Sequence, residues 1–215
     1  HLGFCVLGYA AFNIQGLQGS MIQMLNHGVS TAALFLIVGV LYDRKHTRLI
    51  ADYGGLAAKV PVFAFIFLVF TLSSIGLPLT NGFVGEFLIM LGGFTYNKVL
   101  AAIATLGVIF GAVYMLSLYR RVSYGVLDEK KNGELGDLTC REKLVFAPLL
   151  ILVFVIGLSP TPFLRRRKPA ASALLASVIR GRAMSEAAAP RVNRFIVNPD
   201  DGISDVKSIS LQVPK

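Results

Sequence analysis

The chain has 215 residues, 54% hydrophobic and 15% charged, with mean hydropathy +0.65 and a formal net charge of +9. A soluble domain carries about a quarter charged residues, so this composition excludes an ordinary soluble enzyme. The apolar residues come in blocks of roughly 20, the length that crosses a hydrocarbon core about 30 Å thick, and the fold class is therefore an all-α integral membrane protein, a polytopic helical bundle.

His1 to Phe12 is a short apolar stub, too short to span. It lacks an initiator Met and a charged region before the apolar block, so it does not read as a signal peptide. The expectation is that the chain is the C-terminal part of a longer protein. Asn13 to Gly19 reads as an uncharged turn, Ser20 to Leu41 as a full span and Tyr42 to Lys59 as a polar loop. Pro61 opens the next span, suitably for a first helical turn, and the span runs to Phe94. Unbroken helix of that length would measure about 51 Å. The run Gly76-Leu77-Pro78-Leu79-Thr80-Asn81-Gly82 predicts an irregular linker within 76–83, making this one discontinuous transmembrane helix. Tyr96 to Lys98 is a connector, Val99 to Tyr119 a fourth segment and Arg120 to Lys143 a charged loop. Leu144 to Leu158 is the last span, ended by Ser159-Pro160-Thr161-Pro162. Residues 1–162 thus form a transmembrane bundle of about five membrane segments, and 163–215 a basic tail, partly helical or disordered. A membrane-surface helix around Ala170 to Ile179 is one reading of the tail. Residues after about 185 are expected to pack poorly, because they offer few apolar anchors.

Lys and Arg near span ends set orientation. Loops 42–60 and 120–143 share one side and hold Arg44, Lys45, Arg48, Lys59, Arg120, Arg121, Lys130, Lys131, Arg141 and Lys143, against Lys98 on the other side. The rule puts these loops in the cytoplasm. Arg165 to Lys168 then falls outside, in conflict with the rule, but short loops obey it best. Cys5 and Cys140 lie far apart with no metal or redox spacing and read as small packing residues.

In lipid, unwound backbone is tolerated only where protein or water covers it, and broken helices recur at ion sites in transporters. Glu86 follows the break by about one turn, at membrane depth. An acid there is costly, about +2.5 to 3.5 kcal/mol on insertion scales for an Asp at a helix centre. Burial favours its neutral form and the half-helix N-terminus its charged form. An acid held between the two states suits a proton relay. The plainer reading is a carboxylate that caps the second half-helix or pairs with a basic side chain. His27 sits mid-span beside Asn26, Ser30 and Thr31, and is either a relay or a histidine bonded between packed helices, with Gly28 permitting close approach. His46 reads as a solvated loop residue, and Tyr114 as either an inward hydroxyl or an interfacial anchor. No phosphate loop, metal spacing or Ser/His/Asp arrangement is present in the sequence. The basic runs lack the aromatic interleaving of nucleic-acid surfaces, so no nucleic-acid partner is expected, and the bilayer is.

HLGF, QGLQGSMIQMLNHGVSTAALFLIVG, YDRKHTRLIADYGGL, GLPLTNGFVGEFLIMLG and, more weakly, REKLVFAPLLILVFVIGLSPTPF together resemble the antiporter-like membrane subunits of proton-translocating NADH–quinone oxidoreductase (respiratory complex I), a family shared with Mrp-type cation/proton antiporters. The HTR-x-x-x-D-x-GGL loop favours the subunit M (chain 4) branch over the L and N paralogues. The resemblance covers about residues 1 to 160 and implies a fourteen-helix fold of two inverted five-helix repeats, here from a partial tenth helix onward. It implies that Glu86 is the proton-exit acid on the broken helix, and that His27 and His1 are histidines of a hydrated central axis. It implies membrane partners among the L and N paralogues, a bacterial inner-membrane location, and no flavin, iron–sulfur, quinone or other cofactor in this chain. The first repeat and its charged residues are absent. The break here reads Pro-Leu-Thr-Asn-Gly where the family more often has Pro-Gly. An Mrp-type antiporter subunit and an inert truncated membrane module are the competing readings.

Overall fold

The computed structural model describes residues 1–128, 132–133 and 135–188, with side chains described through 185. The expectation of poor packing after 185 lies outside the described side chains. One compact unit covers His1–Val178, and a second begins at Ile179.

The regular elements among the described residues are helices. They form α1 (Leu2–Ala10), α2 (Ile14–Lys45), α3 (Leu56–Lys59), α4 (Pro61–Ser74), α5 (Asn81–Tyr96), α6 (Lys98–Ser123), α7 (Cys140–Leu158) and α8 (Thr161–Ala188). By length and composition α2 and α6 can each cross a membrane alone. The described residues form a polytopic bundle in which α4 and α5 are the halves of a discontinuous membrane helix, and α7 with α8 is long and apolar enough to cross as a bent pair. The chain is a membrane protein on that ground.

The break follows from local chemistry. Leu77 N–H donates to the Leu72 carbonyl at 3.0 Å and Gly76 N–H to the Ser73 carbonyl at 3.3 Å. This pair of bonds is the Schellman ending, with Gly76 supplying the left-handed residue at φ 73°. Pro78 cannot continue a hydrogen-bonded helix. Thr80 then flanks α5, but its hydroxyl donates to the Leu77 carbonyl at 2.6 Å and makes no cap bond to the helix. The linker is 75–80, so Asn81 and Gly82, expected within the irregular stretch, are the first residues of α5.

The expected turn at Asn13–Gly19 is corrected. Asn13 is the N-cap of α2, accepting from Gly16 N–H at 2.8 Å, and the helix begins at Ile14. Two glycines in a polar stretch suggested a turn, but both serve close helix approach. A Cβ on Gly16 would lie 2.5 Å from the Gly8 carbonyl, and one on Gly19 would lie 2.7 Å from Ile89 N. The helix also runs past the expected Leu41 to Lys45. Likewise α6 extends through Ser123 and α7 starts at Cys140, so the polar loops are shorter than their charge suggested.

An aromatic and aliphatic core joins α2, α4, α6 and α7 through Ile37, Phe67, Phe70, Tyr119, Phe146 and Val153. The two charged loops meet on one side of it. Asp137 caps α4 by accepting from Val62 and Phe63 N–H at 2.9 and 3.0 Å. Arg44 donates to Glu142 at 2.8 Å. Glu142 lies ahead of the apolar stretch Leu144–Leu158 and closes a capping box with Thr139. The hydrogen bond from Arg44, reinforced by Thr139, pulls the Glu142 pKa from 4.5 down to about 2. A depressed folded-state value means that this stabilisation is present above pH 4.5 and is lost as pH falls to about 2. A double-mutant cycle with Arg44→Ala and Glu142→Gln, read by thermal unfolding, should give about 1 kcal/mol of coupling at pH 7 and none at the acid end. Coupling that persists there would contradict this account.

Candidate functional site

The site is built where α2 crosses the α4/α5 break. Glu86 lies on α5, buried at 6% exposure although it is an acid. Its Oε1 is 3.0 Å from His1 Nδ1 and accepts from Gln23 Nε2 at 3.2 Å. The other carboxylate oxygen lies against Gly76, where a Cβ would come within 2.5 Å of it. The hydrogen bonds of this carboxylate thus reach the N-cap residue of α1 and the side of α2 rather than the first-turn amides of α5. The geometry gives no support to the capping alternative, and the His1 contact is of the kind that the pairing alternative describes.

His1 also faces Ser74 Oγ at 3.4 Å, and its ring meets that of His27 edge-on with centroids 5.5 Å apart. Glu86, His1 and His27, dispersed over 86 positions of sequence, are thus linked through His1. A hollow of about 10 Å³ lies among His1, His27, Asn26, Ser30 and Ser74, about the space one water needs. On the other side of His1 and Glu86 opens a cavity of about 480 Å³, walled by Phe4 and Leu7 of α1 and by Leu100, Gly107 and Tyr114 of α6. Tyr114 therefore lines the same cavity as Glu86, while 58% exposed. His46 is exposed at the end of α2, where φ is 53°, and its ring packs edge-on to Tyr42.

Behind Glu86 runs a buried polar ladder that the sequence reading did not assemble. Asn26 Nδ2 donates to the Asn81 carbonyl at 2.6 Å, and Asn81 Nδ2 donates back to the Asn26 carbonyl at 3.3 Å. Ser73 Oγ donates to Asn81 Oδ1 at 2.6 Å and lies 2.8 Å from Ser30 Oγ. Asn26 also donates to Gln23 Oε1 at 3.3 Å, which continues the ladder to Glu86. These bonds tie the end of α4, the start of α5 and the middle of α2 together, and they satisfy polar groups that would each cost about 1–3 kcal/mol unpaired. A signal for part of it was present. Gln23, Asn26 and Ser30 fall at i, i+3 and i+7, one stripe of a helix. Asn26 Oδ1 is buried without a partner and Cys5 is buried. Among the described residues no three His, Cys, Asp or Glu side chains cluster as a metal set.

Residues 1–111 match the family described as NADH:quinone oxidoreductase/Mrp antiporter, TM. The chain is 50% identical over 161 residues to NADH-quinone oxidoreductase subunit M of Rhodobacter capsulatus, covering 75% of this chain and 31% of that protein. It is 48% identical over 164 residues to the subunit M of Rickettsia typhi, covering 76% of this chain and 33% of that protein. The chain thus spans about a third of the length of the curated relatives it matches. Its fold is similar to a chain of the respiratory complex I from Thermus thermophilus with bound NADH, with a TM-score of 0.73 and 35% identity over 82% of this chain and 37% of that one.

Proposed function

The chain belongs to the NADH:quinone oxidoreductase/Mrp antiporter transmembrane family, and on that premise we propose that the full-length protein conducts protons as a membrane subunit of an NADH–quinone oxidoreductase, of the subunit M (chain 4) type. The observation that carries this reading is the acid at the helix break, hydrogen-bonded to His1 and Gln23 and bordered by His27. A carboxylate and two imidazoles are each able to take up and release a proton, and they lie beside unwound backbone, a setting that recurs at ion sites in transporters.

In this reading Glu86 exchanges its proton with His1 through the 3.0 Å contact. His1 hands on to His27 across the small hollow between them, and the wider cavity beside Glu86 supplies the other connection. Moving one charge against 100 mV costs about 2.3 kcal/mol. The energy then comes from neighbouring subunits, the antiporter-like L and N paralogues among them. The location is a bacterial inner membrane, with the loops around Arg44 and Arg121 in the cytoplasm, supported by their excess of Lys and Arg.

The test is deletion of the full-length gene with complementation in its own host. Membranes from the deletion strain should lose NADH-driven acidification of inverted vesicles and regain it with the wild-type gene. Intact NADH-driven pumping with lost sodium/proton exchange would replace this reading with the Mrp antiporter one.

A further inference from the structure

At the charged-loop end of the bundle, away from Glu86, two adjoining hollows share Ile50 and Tyr53. The deeper one, about 140 Å³, lies between α2 and α6, lined by Leu34, Ile37 and Leu41 on one side and Met115, Leu118 and Val122 on the other. It is apolar except at its rim, where Thr47 and Arg48 stand. The outer one, about 490 Å³, is lined by Arg120, Arg121 and Tyr124. Among the described residues no salt bridge joins Arg48, Arg120 or Arg121 to a carboxylate. All three are exposed, and Arg48 stacks over the Tyr42 ring at 4.7 Å. Tyr42 and Tyr124 are exposed at this end, beside Arg48 and Arg120 respectively, as tyrosines are at the boundary of lipid and water.

The order along the membrane normal is therefore cations and tyrosines at the boundary, then an apolar slot running inward. Met115 lies about 9 Å below Arg121 along α6. An anionic phospholipid has this same order, a phosphate at the boundary and an acyl chain below it. Basic pockets between transmembrane helices are a recurring seat for such headgroups. We propose that this groove is a binding site for a single anionic phospholipid, its phosphate held by Arg48, Arg120 and Arg121 and one acyl chain seated between α2 and α6. The charge of the rim selects the lipid, since a zwitterionic headgroup brings no net negative charge to three arginines. The inference does not rest on the proton-conduction reading.

The experiment uses the full-length subunit in its complex, purified in detergent and stripped of lipid. It is incubated with phosphatidylglycerol carrying a photoreactive group in the acyl chain, or with phosphatidylcholine carrying the same chain, and the adducts are mapped by mass spectrometry. Phosphatidylglycerol should label 34–41 or 115–122 and phosphatidylcholine should label them several-fold less. Each arginine near an anionic lipid surface is worth roughly 1 kcal/mol, or about fivefold in binding. R48Q should therefore lower labelling about fivefold, and R120Q/R121Q about 25-fold. L118W fills the slot without changing charge and should abolish labelling, which guards against misreading an arginine variant that assembles poorly. Equal labelling by both lipids, arginine variants that label like wild type, or no adduct in either segment because another part of the full-length protein fills the slot would each overturn the proposal.

Discussion

Glu86→Gln in the full-length subunit should lower NADH-driven proton translocation and the coupled quinone reduction by about a hundredfold, the lower end of what a positioned proton carrier contributes, with the complex still assembled. Gln keeps the size of Glu and keeps a carbonyl oxygen to accept from Gln23, whose Nε2 now donates to Glu86 at 3.2 Å. The ladder behind it, Gln23 to Asn26 to Asn81, uses none of the carboxylate's charge and should stand. What is removed is the exchangeable proton. Glu86→Asp keeps that proton but withdraws it by one methylene from His1, so partial activity is expected. Proton translocation at the wild-type rate by Glu86→Gln in reconstituted vesicles, with normal subunit content, would leave Glu86 as a structural group.

Gly92→Ala should destabilise the bundle by about 2–3 kcal/mol, whereas Gly93→Ala, one residue on, should be neutral or mildly stabilising. Both glycines lie inside α5 and both substitutions gain about 1 kcal/mol of helix propensity. Only the surroundings differ. A Cβ on Gly92 would lie 2.5 Å from Gly16 N and 2.7 Å from Gly16 Cα, backbone atoms of α2 that can move only with the helix. A Cβ on Gly93 would meet the Leu7 side chain at 3.5 Å, an ordinary contact. The clash at Gly92 also presses on Asn13, whose Nδ2 donates to the Gly92 carbonyl at 2.7 Å and whose Oδ1 caps α2. Thermal unfolding of the purified complex carrying each variant checks the pair. Equal melting temperatures would show that α2 and α5 are free to separate at this crossing.

Membrane class, the main apolar spans and the broken helix were legible because each rests on information local in sequence. Twenty apolar residues in a row have one use, and Gly76 with Pro78 cannot continue a helix whatever surrounds them. Glu86 stood out for the same reason, as an isolated charge at membrane depth. The ends of the helices were less legible. Asn13 to Gly19 has turn composition, yet it is helix, because Gly16 and Gly19 answer to the backbones of α1 and α5 and not to their own neighbours in sequence.

Only the tertiary structure could bring His1 to 3.0 Å from Glu86, since the contact joins the N-cap residue of α1 to α5 across 85 positions. The same holds for the reciprocal amide bonds of Asn26 and Asn81 and for the use of Ser73 to join the two half-helices. A polar side chain in an apolar segment shows that a partner must exist, because lipid offers none. Which partner it finds depends on the angle and depth at which helices cross, and those are set by the small residues that let the backbones meet.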